Sequence, residues 1–240
     1  FTTLRGVTEA ANFRAISKST TEPCKNTSLR TGESGKTDMR GKFITIEGGD
    51  GAGKSSHVES IAALLRGRGR RVLVTREPGG TPLAEKLRAL VLAEPMDSLS
   101  ETLIMFSARC DHLHRVLEPA LAEGTWVVCD RFTDATVAYQ GGGKGVSLEL
   151  IERLRSAVHP DLEPDLTLVF DCPFEVARER LGRTGKALDR FEREGREFFQ
   201  RVRGTYLREA AARPARIRVI DASRELEQIK KSVEKELLSI

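Results

Sequence analysis

Long apolar runs are lacking in this sequence: no stretch approaches the roughly 20 apolar residues that a membrane-spanning helix needs. Aromatic residues are also few, at 5% of the 240 residues, whereas hydrophobic residues reach 39% and charged residues 31%. This balance is typical of a soluble globular protein, and we expect no membrane partner. Because single cores become rare beyond about 250–300 residues, we expect one catalytic core with at most a small appendage.

Cysteine patterns for disulfides or for a structural metal are lacking as well. No CxxC pair and no secretory apolar segment occurs, and the four cysteines are widely spaced, at Cys24, Cys110, Cys129 and Cys172. We therefore expect free thiols in a reducing compartment, the cytoplasm.

The net charge does not select a class of partner. The formal charge is +4 at pH 7, which suits nucleic acid. Clustered arginines serve equally well to bind a polyphosphate substrate. The choice between these two classes must come from motifs.

Residues 1–38 differ in composition from the rest of the chain. Serine and threonine are frequent there, and apolar residues show no periodicity. We expect a disordered N-terminal extension without a function of its own. A translated leader, residues added by cloning and a transit-peptide remnant are alternative origins. Glu9, Glu22 and Glu33 count against a transit peptide, because such peptides contain few acidic residues.

From residue 39 onward, short β-rich runs alternate with longer segments of helical period. Strands are predicted at 43–47, 71–75, 126–130, 166–171 and 216–221. Helices are predicted at 54–68, 83–93, 100–123, 147–158, 173–181, 193–212 and 226–238. This alternation predicts an α/β domain over residues 39–240, with a parallel sheet and helices on both of its faces.

The strongest local motif lies between the first predicted strand and the first predicted helix. It fits G-x-x-x-x-G-K-[ST] and consists of Gly48, Gly49, Asp50, Gly51, Ala52, Gly53, Lys54 and Ser55. The glycines let successive backbone N–H groups point at phosphate oxygens, and the helix adds the positive end of its dipole. We expect Lys54 to bind the β and γ phosphates of ATP and Ser55 to bind Mg²⁺. The motif therefore predicts an ATP-binding phosphate loop.

A phosphate loop does not identify a reaction, because GTPases, motor ATPases and small-molecule kinases share it. No NKxD guanine-reading motif follows, which disfavours a GTPase. The third predicted strand ends in Asp130, and Arg131 comes next, at the edge where ligands bind in parallel sheets. We expect Asp130 to hold magnesium or to orient an acceptor, and Arg131 to lie close to the transferring group.

Several segments, in their order and spacing, resemble the thymidylate kinase family. They are IEGGDGAGKS at 46–55, TREPGGT at 75–81, DRF at 130–132, AYQGGG at 138–143 and DRFE at 189–192. The resemblance extends from about Met39 to the C-terminus. It implies a P-loop kinase fold with a five-stranded parallel sheet, in agreement with the alternation of strands and helices.

The resemblance also implies where the acceptor, thymidine monophosphate, binds. Asp50 is expected to meet the sugar hydroxyl, and Arg76 to bind the acceptor phosphate. Phe106 is expected to stack on the thymine ring, while Arg109 donates a hydrogen bond to a base carbonyl. Arg131 is expected on the acceptor side as well.

Three further acceptor residues follow from the same resemblance. Tyr139 is expected over the sugar, and Gln140 is expected to line the base pocket. The family often has small hydroxyl residues just before this pair, but Ala135 replaces one of them. Thr136 is therefore the candidate for that base contact.

The basic segment 178–192 resembles the short mobile lid that closes over ATP in this family. Gly182 and Gly185 permit such motion. Some members carry a catalytic arginine in the phosphate loop, at the position of Gly51. Here the lid must supply that charge, and either Arg180 or Arg183 is expected to stabilise the transferring phosphoryl group.

These observations predict an enzyme that transfers the γ-phosphoryl group of Mg–ATP to dTMP, giving dTDP and ADP. Lys54, Asp130, Arg131 and one lid arginine are the expected catalytic residues. Another nucleoside or nucleoside monophosphate kinase is the first alternative, and a nucleotide-dependent nucleic-acid-binding ATPase is the second. We expect ATP and dTMP as partners and no nucleic acid. The resemblance also implies a homodimer.

Overall fold

The computed structural model describes residues 40–183, 185 and 189–240. All of them belong to one compact unit that extends from Asp38 to Ile240. The expected N-terminal extension, residues 1–38, lies outside the described residues, as do residues 184 and 186–188 of the expected lid. The disorder of the extension and the mobility of the lid stay predictions.

The centre of the fold is a five-stranded parallel sheet. Its strands are β1 (Phe43–Gly48), β2 (Val72–Arg76), β3 (Trp126–Asp130), β4 (Leu166–Asp171) and β5 (Ile217–Asp221). They pair in the order β2-β3-β1-β4-β5. Every neighbouring pair is parallel. The predicted fold class is therefore confirmed, and each predicted strand lies within one residue of the observed one.

Nine α-helices surround the sheet in the described part of the chain. They are α1 (Ser55–Gly67), α2 (Pro82–Ala93), α3 (Ser98–His112), α4 (Glu118–Ala122), α5 (Thr133–Thr136), α6 (Leu148–Val158), α7 (Phe174–Arg183), α8 (Arg196–Ala212) and α9 (Leu226–Leu237). A π-helical turn, Leu113–Leu117, joins α3 to α4, so the helix predicted at 100–123 is continuous but not regular. A second π-helical segment, Val137–Gly143, extends α5.

Alternate residues of each strand project to opposite faces of the sheet, which explains why both faces carry helices. On one face, Ile44 of β1 packs in a cluster with Ile61 of α1 and Val233 of α9. On the other face, Phe43 packs with Leu117 from the π-helical turn. Apolar side chains of helices therefore pack against each face, as is usual for parallel sheets, whose strands are buried on both sides.

Side-chain caps start the two helices that follow the second strand. The Thr81 hydroxyl accepts a hydrogen bond from the Ala84 N–H at 3.1 Å, and Pro82 occupies the first position of α2. The Asp97 carboxylate accepts from the Leu99 N–H at 2.9 Å and caps α3. These caps fix where α2 and α3 begin, next to the carboxyl end of the sheet.

The parallel arrangement brings three chain segments to one edge. The carboxyl ends of β1, β2 and β3 are neighbours, because Ile46 pairs with Asp130 and Asp130 pairs with Arg76. The phosphate loop follows β1, Glu77 follows β2 and Arg131 follows β3. The described helices include none that is long and apolar enough to cross a membrane.

Candidate active site

The phosphate loop connects β1 to α1 with three glycines in left-handed backbone conformations. The φ angles of Gly48, Gly51 and Gly53 are 134°, 80° and 88°. Lys54 reaches back across the loop, and its Nζ donates to the carbonyls of Gly48 at 2.9 Å and Gly49 at 2.8 Å. Burial lowers the pKa of Lys54 to about 8, and the positive charge of Arg131 adds to this effect. Phosphate oxygens can replace the two carbonyls as acceptors for this ammonium group.

Asp50, Arg131 and Tyr139 form a hydrogen-bonded triangle at the mouth of the loop. The Arg131 guanidinium pairs with one oxygen of Asp50. The Tyr139 hydroxyl donates to the other oxygen at 2.8 Å and accepts from Arg131 at 3.1 Å. Burial alone would raise the pKa of Asp50, but the charges of Arg131 and Lys54 hold it below its usual range. The carboxylate is therefore ionised and has a fixed orientation.

The backbone of Arg131 is unusual, with a positive φ of 72°. A side chain in this region is uncommon and strained, and such strain concentrates at functional sites. The Arg131 N–H donates to the Ile46 carbonyl at 3.0 Å, so sheet pairing continues into this residue. The turn aims the guanidinium at the phosphate loop, where it also donates to the Gly48 carbonyl at 3.2 Å.

A cavity opens beside this triangle, between α2, α3 and the segment that contains α5. We call it the acceptor cavity; it is lined by Asp50, Glu77, Pro78, Arg88, Val91, Leu92, Met105, Arg109, Arg131, Phe132, Ala135, Thr136, Tyr139, Gln140, Asp189 and Phe191. Its walls combine apolar side chains with a few polar ones, which is the usual composition of a small-molecule site.

Arg109 is held firmly in the wall of the acceptor cavity. Its Nε donates to Glu77 at 2.7 Å, and its Nη2 donates to the Thr136 hydroxyl at 3.1 Å. The guanidinium lies 4.8 Å from the Phe106 ring centre and 5.1 Å from that of Phe132. Nη1 is buried and finds no acceptor among the described residues. A buried donor without a partner is costly, so this atom is suited to a ligand oxygen.

Comparisons with known proteins agree with this geometry. The family model for thymidylate kinase matches residues 46–233. A thymidylate kinase from Methylobacillus flagellatus is 58% identical over 195 residues, covering 81% of this chain and 96% of the relative. One from Bordetella pertussis is 54% identical over 198 residues, covering 82% and 95%. The crystal structure of thymidylate kinase from Ehrlichia chaffeensis matches with a TM-score of 0.68 and 34% identity, covering 83% of this chain and 99% of that one.

The chain belongs to the thymidylate kinase family. It is therefore an enzyme with a P-loop kinase fold, and the resemblance inferred from the sequence motifs is confirmed. The acceptor cavity of this kinase contains most of the side chains expected there: Asp50, Arg109, Arg131, Thr136, Tyr139 and Gln140.

Phe106 is not on the wall of the acceptor cavity, where we expected it. Its side chain is 2% exposed and lies beneath the Arg109 guanidinium. The preceding residue, Met105, lines the cavity instead. Successive residues of an α-helix point about 100° apart, so only one of the two can face the cavity. In this kinase Phe106 supports Arg109, and Met105, Phe132 and Phe191 provide the apolar walls.

Arg76 also lies apart from the cavity lining. Its guanidinium is about half exposed and pairs with Glu85 of α2 at 2.9 Å. Arg88, which sequence reasoning missed, lines the cavity and donates to the Pro78 carbonyl at 3.0 Å. Burial lowers the pKa of Arg88, as do the charges of Arg76 and Arg131. Arg88 and Arg131 therefore line the kinase's acceptor cavity, and Arg76 lies outside the lining but close enough to Arg88 to lower its pKa. In the sequence, Arg88 could not be told from the solvated face of an amphipathic helix.

The two candidate lid arginines of the kinase lie in different places. Arg180 Nη1 donates to the carbonyl of Ala52 in the phosphate loop at 3.4 Å. Arg183 is three-quarters exposed and pairs with Glu179 at 2.5 Å. A Cβ at Gly51 would lie 2.3 Å from the Ala177 carbonyl oxygen, so α7 leaves no room there for a side chain. Of these two described arginines, Arg180 is therefore the one that contacts the loop.

Asp130 carries a feature that suits a metal ion. Its Oδ1 is buried and has no hydrogen-bond partner among the described residues. Ser55, the other expected magnesium ligand, is exposed at the start of α1. Among the described residues there is no group of three or more His, Cys, Asp or Glu side chains that could hold a metal. Mg²⁺ normally takes one or two protein ligands beside water and phosphate oxygens, so these two residues fit it.

Glu47, the residue before the phosphate loop, is fully buried on β1. Its oxygens accept from the Phe132 N–H and from the Tyr206 hydroxyl, each at 2.7 Å. Burial raises the pKa of Glu47 to about 8, and the negative charge of Asp134 adds to the rise. A neutral carboxyl therefore links β1, α8 and the residue that follows Arg131.

Glu47 leads to a defined pH dependence of stability. Its carboxyl stays protonated in the folded kinase up to about pH 8, whereas the unfolded chain ionises it near 4.5. A raised folded-state pKa contributes stability that is complete below the unfolded value and is lost as the pH rises through the folded value. The free energy of unfolding should fall across this window by up to about 1.4 kcal/mol per pH unit relative to that of Glu47→Gln. Urea unfolding of both proteins across the window measures the difference, and parallel pH profiles would contradict the assignment.

Proposed function

We propose that this kinase binds Mg–ATP on the phosphate loop and transfers the γ-phosphoryl group to the 5′-phosphate of dTMP, giving dTDP and ADP. The observation that carries the acceptor assignment is Nη1 of Arg109, which is buried and has no acceptor among the described residues, in a cavity that Thr136 and Gln140 also line. A 4-oxo pyrimidine such as thymine offers a carbonyl oxygen to this donor. Cytosine offers an amino group there, which is itself a donor.

Charge at the other end of the cavity supports a phosphate acceptor. Arg88 and Arg131 line the cavity, and Arg76 lies close enough to lower the pKa of Arg88. Arginine suits phosphate because its planar fork matches two oxygens. Asp50 is ionised and oriented by Tyr139, so we assign it to the sugar hydroxyl between base and phosphate.

The chemical step then depends on position and charge. A phosphate acceptor is nucleophilic near neutral pH, so no strong general base is required. Lys54 neutralises charge on the β and γ phosphates of ATP, and the loop N–H groups hold the same oxygens. Ser55 and Asp130 would hold Mg²⁺, which would supply further charge neutralisation. Arg131, which contacts both the loop carbonyl of Gly48 and Asp50, joins the donor and acceptor sides.

An acceptor panel tests this assignment. ATP consumption is measured with dTMP, dUMP, dCMP and thymidine, and each product is identified by mass. We expect kcat/KM for dTMP to exceed that for dCMP by at least about 10², because the wrong base leaves buried donors unpaired. Lys54→Ala should lower kcat strongly while dTMP still binds.

Three outcomes of this panel contradict the proposal. A preference for thymidine over dTMP supports a nucleoside kinase. ATP turnover without any small acceptor, together with salt-dependent binding of polynucleotide, supports a nucleic-acid-binding ATPase. Near-normal kcat in Lys54→Ala would show that the phosphate loop does not have the proposed role in catalysis.

The lid arginines provide a matched pair of variants. Arg180→Ala should lower kcat by a factor on the order of 10³, because its charge stabilises the transferring phosphoryl group. Arg183→Ala should change kcat by less than about threefold, since it removes only a surface ion pair. Steady-state kinetics with saturating dTMP measure both. Equal losses in the two variants, or the larger loss in Arg183→Ala, would contradict the assignment.

We also propose that the enzyme is a homodimer that pairs through α2 and α3. These helices pack against each other. Each exposes two leucines that are between 44% and 49% accessible: Leu83 and Leu90 on α2, and Leu99 and Leu103 on α3. Large apolar side chains clustered on neighbouring helices are typical of a buried interface.

Light scattering after gel filtration tests the dimer. The parent should have twice the chain mass of 26.5 kDa, and Leu90→Glu combined with Leu103→Glu should shift it toward the monomer. Leu226→Glu is the control, because Leu226 is half exposed on the distant helix α9. A parent that elutes as a monomer would refute the dimer.

Finally, we propose a cytoplasmic location. Cys110, Cys129 and Cys172 are free thiols in the described part of the chain, and two of them are buried. Free buried thiols are typical of a reducing compartment. Soluble ATP and a nucleotide acceptor are also available there.

A further inference from the structure

Glu101, on the first turns of α3, is a buried carboxylate that no step above uses. Its side chain is 0% exposed. Oε1 accepts from Gln140 Nε2 at 2.8 Å, and Oε2 accepts from Lys144 Nζ at 2.8 Å. Arg190, near the end of the segment 178–192 that resembles the lid, donates to the same Oε2. One carboxylate therefore joins α3, the π-helical segment and the end of the lid.

The contact with Glu101 fixes which way the Gln140 amide faces. A carboxylate only accepts hydrogen bonds, so the amide nitrogen of Gln140 must point to it. The amide oxygen is then the atom that Gln140 can offer to the acceptor cavity, whose wall it forms. An oxygen at this place accepts a hydrogen bond from a ring N–H.

We propose that Glu101 is a positioning residue that sets base specificity by holding the Gln140 oxygen toward the ring N3–H of a 4-oxo pyrimidine. The inference rests on the proposed function and deepens it. Thymine and uracil carry a proton on N3, whereas cytosine has a lone pair there. The oxygen of Gln140 therefore attracts the first two bases and repels the third.

A second buried carboxylate, Glu77, orients a donor of the same cavity, Arg109, in a similar way. Glu77 accepts from Arg109 Nε, which leaves Arg109 Nη1 for the carbonyl of the base. Glu77 and Glu101 thus orient one donor and one acceptor on the same cavity. Together, a donor from Arg109 and an acceptor from Gln140 match the carbonyl and the N–H of a 4-oxo pyrimidine.

The two cations on Glu101 explain why this carboxylate can remain buried and charged. An unpaired buried carboxylate is very costly, and two charged donors offset that cost. Lys144 and Arg190 also lie over the ring of Phe191, at 4.7 Å and 4.9 Å from its centre. Phe191 lines the acceptor cavity. The same cations therefore hold both the carboxylate and an apolar wall of the base site.

The change Glu101→Gln should reverse the amide of Gln140. Lys144 and Arg190 only donate, so the oxygen of the new amide must face them. The NH2 group of the new amide then faces Gln140. The Gln140 oxygen turns toward this NH2 group, and the Gln140 NH2 group turns toward the cavity. We expect KM for dTMP to rise about tenfold, KM for dCMP to fall, and the ratio of their kcat/KM values to drop by at least about tenfold. KM for ATP should change by less than about twofold, since the phosphate loop is untouched.

A double-mutant cycle separates positioning from general damage. In a Gln140→Ala background, Glu101→Gln should not reduce the dTMP to dCMP ratio further, because the residue through which it acts is gone. Glu227→Gln, at an exposed pair with Lys230 on α9, is the matched control and should leave all parameters unchanged. If Glu101→Gln does not fold, Lys144→Met is the second variant, because it removes one of the two cations that pair with Glu101. It should also lower the dTMP to dCMP ratio of kcat/KM.

The proposal is overturned if Glu101→Gln keeps the parental dTMP to dCMP ratio, or if the ratio falls equally with and without Gln140. A loss of kcat for both acceptors with no change in their ratio also overturns it, since that result indicates a purely structural role. A parent enzyme that does not prefer dTMP over dCMP would instead contradict the proposed function itself.

Discussion

The ion pair between Arg131 and Asp50 is the contact on which the rest of the site depends. It joins the segment after β3 to the phosphate loop after β1, and it exists because these strands are neighbours in register. Tyr139 completes it from the π-helical segment. The proposed donor and acceptor subsites are thereby fixed relative to each other. Such preorganisation lowers the entropy cost of bringing two substrates together.

Local signals made the sheet and the phosphate loop predictable. The phosphate loop could be located because G-x-x-x-x-G-K-[ST] between a predicted strand and a predicted helix has one structural context, whereas the order of the strands was not predicted. It was harder to predict which residues of a helix face the cavity: in α3, Met105 faces it and the next residue, Phe106, does not. The helical segment from Thr133 to Gly143 was missed, because three consecutive glycines at its end indicate a turn. Tertiary packing overrides that local preference.

Buried carboxylates were the other feature that sequence could not reveal. Glu101 and Asp134 lie in helices and Glu77 directly follows β2, and all three are buried although acidic side chains normally face solvent. Each is instead met by charged donors from distant parts of the chain: Asp134, for example, accepts two hydrogen bonds from Arg216 at 2.7 and 2.9 Å. Such pairs add little net stability, but breaking one partner is costly. They therefore hold specific geometries more than they stabilise the fold.

The close approach of α7 to Gly51 limits how this enzyme can evolve. Because the Ala177 carbonyl oxygen occupies the space where a Cβ of residue 51 would lie, an arginine in place of Gly51 does not fit beside α7 as it stands. A lineage that moved the catalytic arginine from lid to loop would first need α7 to shift away. The two arrangements are therefore separated by a backbone change as well as by the substitutions themselves.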